Sequence, residues 1–499
     1  AEPTAKDVLD ASAASVSETL ADAPQLRARM QMMLARAYNS LGDADKASIL
    51  LDASIAGFLS KPVNRLDQAA KAMAQLADVE TEREHRNRAV ELARGSLALL
   101  QQTNAPPGEL LEAASILEGA LMSVARFSEA ERSLEFNRPL IAKVFGDPSL
   151  QLADSLNNQA ELASNAGELR KSERLFRSAL AMKARIKASP QALFASRGLL
   201  GVALRRQGRF DEAERLLLEN RGLAPKLYPK DPGRIANLEN RLATVYRDEG
   251  DLVRAQAGYE HAIALETHAS GLRTLETALV MANLAGVLEA RGDLRGAENT
   301  YRSVEDMVRA APAASDIAEL RAAANFGVFL SKQGGKAPTG DRVESVLARW
   351  IRLYSPEGRS MPWDLAEARF LQVEYLIATA RYDAAERALP AFDPDPDQPL
   401  QQARRAYLLA QIATARGQSD AAAKNIASAL RISDAVAGTS SAYGALWRLD
   451  QAQLFLASGK RDLARQQLAI AEPVLRRQMI AGSKPIARME HALREAAPR

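Results

Sequence analysis

Apolar and small residues recur along this chain at three- and four-residue intervals, in blocks closed by a glycine or a short polar break. Residues 239–266, ENRLATVYRDEGDLVRAQAGYEHAIALE, show the unit. Leu242, Ala243 and Tyr246 fall on one face of a predicted first helix. Gly250 ends it, because glycine enters a left-handed cap without the steric cost that a Cβ brings. Ala255, Tyr259 and Ala262 then mark the inner face of a second, antiparallel helix. Ala243 and Ala255 let the backbones approach, and Tyr246 and Tyr259 fill the space beside them. Such a hairpin cannot bury its faces alone, so it is expected to recur.

The turn position does recur, at Gly42, Glu84, Ala125, Gly167, Gly208, Gly250, Gly292, Gly334, Ala380, Gly417 and Gly459. The spacings are 42, 41, 42, 41, 42, 42, 42, 46, 37 and 42 residues. Five residues after most turns stands a small residue: Ala47, Ala89, Ala130, Ser172, Ala213, Ala255, Ala297, Ala385, Ala422 and Ala464. Four later comes a larger one in most copies: Leu51, Leu134, Phe176, Leu217, Tyr259, Tyr301, Leu389, Ile426 and Leu468. The copy over 67–100 is degenerate, with Glu80 where an apolar residue belongs. Proline- and glycine-rich connectors at 104–108, 146–149, 229–233, 356–362 and 393–399 punctuate the repeats. The glycine-rich segment 334–340, flanked by the irregular spacings, predicts a joint. The expected organisation is an N-terminal array over 1–333 led by a helix at 4–22, an irregular joint over 334–362, and a second array over 363–499. A last helix over 483–496 is expected to cap the exposed apolar face of the final repeat.

Small residues around each turn, with a large residue closing each helix face, resemble the tetratricopeptide repeat. The period is that of the longer-helix variant found in kinesin light chains. The resemblance covers roughly 25–471 and implies an all-α fold: an α-α superhelix of about eleven helical hairpins with a C-terminal capping helix. In this repeat class the first helix of each pair lines the concave face. Aligned on the turn, that track carries Asn157, Asn158, Asn240, Arg241, Asn283 and Asn325, with Arg205, Arg206 and Arg247 joining it. The resemblance implies that such asparagines hold a bound peptide's backbone, and an amide supplies both the donor and the acceptor this needs. The other reading of these asparagines is that they bond neighbouring repeats to one another.

Hydrophobic residues make up 47% of the 499 residues but aromatics only 5%, which suits close helix packing through alanine and leucine. Charge is balanced, with 65 Lys+Arg against 62 Asp+Glu, so bulk electrostatics predict no nucleic-acid or membrane partner. Residues 166–250 depart from that balance, with 18 Lys+Arg and 10 Asp+Glu. The local excess of +8 leaves −5 for the remainder, since the whole chain carries +3. If it lines the groove it favours an acidic protein or peptide partner. Cysteine is absent, which excludes disulfides, thiolate metal sites and cysteine nucleophiles. It also favours an oxidising compartment. No apolar run reaches the ~20 residues of a membrane helix. A chain that starts at Ala1 without a signal-type segment is expected to be a processed protein or a piece of a longer one.

No catalytic residue, cofactor or metal site is expected. The motifs of kinases, P-loop NTPases, serine hydrolases and zinc peptidases are all missing. His261 and His268 can share a helix face, but only Glu266 is near them in sequence. Asp393, Asp395 and Asp397 mimic a calcium loop, yet Gln398 replaces its glycine and Arg404 its bidentate glutamate. The N-terminal residues narrow the family. Glu2-Pro3-Thr4, then Leu20-Ala21-Asp22-Ala23-Pro24, then Tyr38, Leu41 and Gly42, resemble the start of the repeat region that follows the kinase and membrane segment in many bacterial serine/threonine kinases. Phe145-Gly146-Asp147 and Ala153–Asn158 resemble the same group. This implies a non-catalytic, periplasmic sensor region, tethered through an upstream segment, that binds a protein or peptide; a homodimer is compatible with it. The alternative is a cytoplasmic scaffold or regulator built from the same repeats.

Overall fold

The computed structural model describes residues 4–61, 63–83, 85–124, 126–270, 274–310, 316–334, 340–354, 362–389 and 397–498. Among these residues are twenty-four helices and no strand. They divide into two compact units, the first holding Ala1–Leu162 with Ala181–Lys187, the second Ala163–Leu180, Ala188–Glu357 and Met361–Arg499.

The first unit opens with α1 (Ala5–Thr19), whose start is set by a reciprocal capping box between Thr4 and Asp7. Then come α2 (Pro24–Ser40) with α3 (Ala44–Leu59), α4 (Leu66–Glu82) with α5 (Arg86–Gln102), and α6 (Pro107–Ser123) with α7 (Phe127–Phe145). Each pair is a hairpin, and each hairpin packs on the next. The boundary between units falls within α8 (Leu150–Asn165) and α9 (Leu169–Arg185). In the degenerate copy, Glu80 is 0% exposed and occupies the apolar slot as a carboxylate. Ser48 Oγ donates to it at 2.6 Å, Arg83 Nη1 at 2.6 Å, and His85 Nδ1 lies 2.8 Å away. Paired on all sides, that charge is buried without being orphaned.

The second unit continues with α10 (Pro190–Arg206) and α11 (Phe210–Leu227), α12 (Pro232–Glu249) and α13 (Leu252–Ser270), and α14 (Leu275–Arg291) and α15 (Leu294–Ala310). It goes on through α16 (Asp316–Lys332) and α17 (Gly340–Tyr354), α18 (Pro362–Ala378) and α19 (Tyr382–Ala388), and α20 (Pro399–Ala415) and α21 (Ser419–Ala437). The last pair is α22 (Ala442–Ala457) and α23 (Arg461–Gln478), with α24 (Lys484–Ala496) packed on both. Ile486, Met489, Ala492 and Ala496 of α24 are buried, so it covers the final hairpin as a cap.

The repeat pattern becomes packing directly. All ten small residues of the second helices, from Ala47 to Ala464, are 0% exposed. The nine larger residues four positions later are 7% exposed or less. At the central hairpin the closest approach is one turn along from Ala255: a Cβ on Gly258 would lie 2.9 Å from Ala243 Cβ. Eight glycines at expected turn positions hold φ between 69 and 92°. Ala380 adopts φ 57° in the same place without being glycine. Glu84 and Ala125 lie outside the described residues.

The region 334–362 is not irregular throughout. Helix α17 occupies its middle, and Val343, Leu347, Trp350 and Tyr354 carry one apolar cluster from α16 into α18. Val343 and Leu347 keep the four-residue spacing of the other second helices, shifted because four more residues separate them from the turn at Gly334. The compact units part near Leu162 and not after Gly334. Residues 335–339, 355–361 and the aspartates at 393 and 395 lie outside the described residues.

Candidate functional site

A 42-residue repeat sets equivalent positions side by side on successive first helices. In the second unit those positions are polar and bonded from one helix to the next. Arg205 of α10 pairs with Asp248 of α12. Arg247 Nη1 donates to Asn283 Oδ1 of α14 at 3.1 Å, and Asn283 Nδ2 donates to Asn240 Oδ1 at 3.3 Å. Lys332 of α16 meets Glu289 of α14 at 3.2 Å and Glu374 of α18 at 2.6 Å. Arg404 of α20 binds the same Glu374 at 2.6 Å and Glu367 at 2.8 Å. Asp450 of α22 accepts from Tyr407 at 2.5 Å and from Arg488 of α24 at 2.5 Å. Four links of this ladder, 205 to 248, 240 to 283, 289 to 332 and 407 to 450, span the same 43 residues.

Burial and pairing compete along the ladder, and pairing wins. Burial disfavours the Asp248 carboxylate, yet Arg247 and Arg205 hold it below the usual range. Burial likewise opposes ionised Glu374, but Lys332 and Arg404 bring it down to about 2. At Tyr443 burial prevails instead: the phenol is pushed up to about 12 although Arg247 and Arg404 pull it down, and Asp248 adds to the rise. The side chains of Arg247, Lys332 and Arg404 still keep 28, 34 and 30% of their surface open. The face is thus internally neutralised but wetted.

The residues expected to bind a partner separate into groups. Arg205, Asn240, Arg247 and Asn283 come together on the ladder, and all four are half-buried. Asn325 is half-buried on α16. Arg206 turns away: its guanidinium lies 5.0 Å over the Trp363 ring and donates to Ser164 Oγ at 2.6 Å. Burial, with the charge of Arg205 beside it, lowers Arg206 to about 10. Arg241 packs toward α10, where a Cβ on Gly198 would lie 2.7 Å from its Nη1, and its Nε donates to Asn237. In the first unit Asn157 is buried, while Asn158 is exposed and donates to Glu118 Oε1 at 3.2 Å.

Glu289, Lys332, Glu374, Arg404, Tyr407 and Asp450 were not singled out from sequence as members of this face. The available signal was the pairing of opposite or complementary polar groups at 43-residue separation. The excess of cations over 166–250 is partly engaged as well: Arg209 meets Glu173 at 2.5 Å and Arg221 meets Glu239 at 2.8 Å. His261 sits 3.8 Å from Glu239, and among the described residues no three His, Asp or Glu side chains are placed to hold a metal.

Residues 234–310 match the family model of the tetratricopeptide repeat. A solved putative kinesin light chain with nearly identical TPR-like repeats from Podosopora anserina is 23% identical, over 41% of this chain and 97% of its own, with a TM-score of 0.37. BtubC from P. vanneervenii is 21% identical, over 48% of this chain and 92% of its own, with a TM-score of 0.38. A tetratricopeptide repeat protein from Parabacteroides merdae is 15% identical, over 56% of this chain and 93% of its own, with a TM-score of 0.43. No curated protein matches the sequence. Residues 234–310 are thus built as tetratricopeptide repeats, a fold typical of scaffolds for protein–protein interaction, and hairpins of the same register stand before and after them.

Proposed function

We propose that the first-helix face of the second unit binds an extended segment of a partner protein. The supporting observation is the half-buried amide pair Asn240 and Asn283, bonded to each other one repeat apart, with Arg247 donating to Asn283. A peptide backbone offers the same donor and acceptor pair that these amides now satisfy among themselves, so it can exchange with them at little net cost. The cation excess over 166–250 favours a segment with acidic residues, through faster encounter more than through final affinity.

The biological setting we propose is the extracytoplasmic sensor region of a membrane serine/threonine kinase, on the resemblance of the N-terminal residues. The reading rests on Pro3-Thr4 and the 20–24 segment leading into the first hairpin. A scaffold working in the cytoplasm makes a different forecast for the coding sequence upstream of Ala1. An apolar stretch of ~20 residues preceded by kinase motifs supports the sensor, and a direct cytosolic start removes it.

The binding reading is tested by selecting peptides from a displayed random library on the immobilised chain. The selected peptides are then titrated against wild type and Asn240→Ala/Asn283→Ala/Asn325→Ala. Unpaired partner groups at roughly 1–3 kcal/mol each predict at least a tenfold weaker complex at unchanged helix content. Equal affinity for both proteins places the peptide elsewhere.

A further inference from the structure

A second system of contacts crosses the second unit and joins parts of the chain far apart in sequence. Turn glycines of the α10–α15 hairpins meet the starts of first helices 191 residues further on: Gly208 at Pro399, Gly250 at Ser441, Gly292 at Ser483. A Cβ on Gly208 would come within 3.2 Å of Pro399 Cγ, one on Gly250 within 2.2 Å of Ser441 Oγ, and one on Gly292 within 2.6 Å of Ser483 Cβ. The repeated offset makes this an ordered seam.

Its bonds are polar, and many use backbone groups. The Ala442 N–H donates to the Gly250 carbonyl at 3.0 Å, and the Ile480 N–H to the Arg291 carbonyl at 3.0 Å. Gln478, only 1% exposed, is the main cross-piece. Its Oε1 accepts the Val253 N–H at 3.1 Å, its Nε2 donates to Asp251 at 3.3 Å, and its carbonyl accepts Arg291 Nε at 2.9 Å. Among the three glycine contacts, that of Gly208 is with Val436 and Pro399, that of Gly292 mixes Ser483 with Pro485 Cδ, and that of Gly250 is with Ser441 and the Ala442 backbone. Hairpin stacking instead buries whole Leu, Phe and Tyr side chains. Hydrogen bonds exchanged with water contribute less, net, than such burial.

The seam borders the ladder. Tyr443, two residues beyond Ser441, brings α22 into reach of Arg247 and Asp248 on α12 and of Arg404 on α20. First-helix faces from both sides of the seam therefore share one interior. We propose that the seam is a reversible clasp: α20–α24 dock on the turn ridge of α10–α15, and an extended partner reaches Asn240, Arg247 and Asn283 when the clasp parts with every helix intact. The gating half rests on the binding reading above; the parting of the seam does not.

The natural absence of cysteine makes the test direct. Arg295→Cys and Lys484→Cys place a donor and an acceptor dye at exposed positions beside the Gly292–Ser483 contact. Energy transfer and helical ellipticity are followed together through a urea titration. Transfer is expected to fall at lower urea than ellipticity. With Ser441→Arg and Gln478→Ala added, it is expected to be low already in buffer, at full ellipticity. Loss of both signals in one transition, in wild-type background and in the variant, overturns the clasp. Bridging the two cysteines with a short bismaleimide is then expected to slow association of the selected peptides at least tenfold. Equal rates overturn the gating role. No peptide binding in either form overturns the binding reading and the gating with it, while the energy-transfer result still decides whether the seam parts.

Discussion

Ala255 and Ala257 lie two residues apart on α13, the first 0% exposed and the second open to solvent. Ala255→Leu forces extra methylenes into the hairpin core and is expected to cost roughly 1–3 kcal/mol. Ala257→Leu is expected to leave the melting temperature almost unchanged. Equal shifts in thermal denaturation would mean that the helix faces are misassigned. A charged residue makes the second forecast at this scale. Glu374 is held at about 2 in the fold, against an ordinary value of 4.5. A carboxylate lowered by folding stabilises fully above its unfolded pKa, and that stability drains as pH falls through the folded one. Between pH 5.5 and 3 the wild type is therefore expected to lose roughly 2 kcal/mol more than Glu374→Gln. Urea denaturation at the two pH values measures the difference, and parallel losses would show that Lys332 and Arg404 do not act on this group.

Hairpins are the elements here, and their turns show two separate demands on one residue type. Gly459 has φ 73° and open space where a Cβ would stand. Gly250 has φ 92° and Ser441 in that space. Gly459→Ala is expected to cost about 1–2 kcal/mol for left-handed backbone alone. Gly250→Ala carries that cost plus the displacement of α22, so its melting temperature is expected to fall further. Equal effects would deny the seam any part in stability. Ala380, at φ 57°, shows that the turn tolerates a Cβ where nothing crowds it. Helix α17 teaches the complementary lesson. Glycines at 334, 335 and 340 suggest an irregular segment, but Val343, Leu347 and Trp350 have a core waiting for them on α16 and α18. Burial of those side chains outweighs the local preference for a loop.

At the scale of the second unit, the seam changes how stability is shared. In a simple stack each repeat depends only on its neighbours. Here the Val253 N–H, one of the unpaired donors at the start of α13, finds its acceptor on Gln478, 225 residues away. Gln478→Ala is expected to raise hydrogen exchange at Val253 by at least tenfold while amides in the middle of α13 keep their protection. Unchanged exchange at Val253 would mean that the bond does not persist in solution.

The sequence alone determined the hairpins, their turns and their buried faces. Those features need only a 3.6-residue helical period and contacts between adjacent repeats, and both are written as spacings of a few residues or of one repeat. Every small residue from Ala47 to Ala464 was legible for that reason. The asparagine track was legible in part: Asn240 and Asn283 do lie together, and bond as neighbours, while Arg241 faces α10 and Arg206 faces Trp363. Which side of a helix meets the adjacent pair depends on packing angles that a residue's identity does not carry. Only the tertiary structure decided that Asp248 would neutralise Arg205 and Arg247, and that Gly250 would face Ser441. The rotation from each hairpin to the next is small and set by many side chains at once. Its sum over several repeats fixes which turn meets which helix start, and no single stretch of sequence encodes that sum.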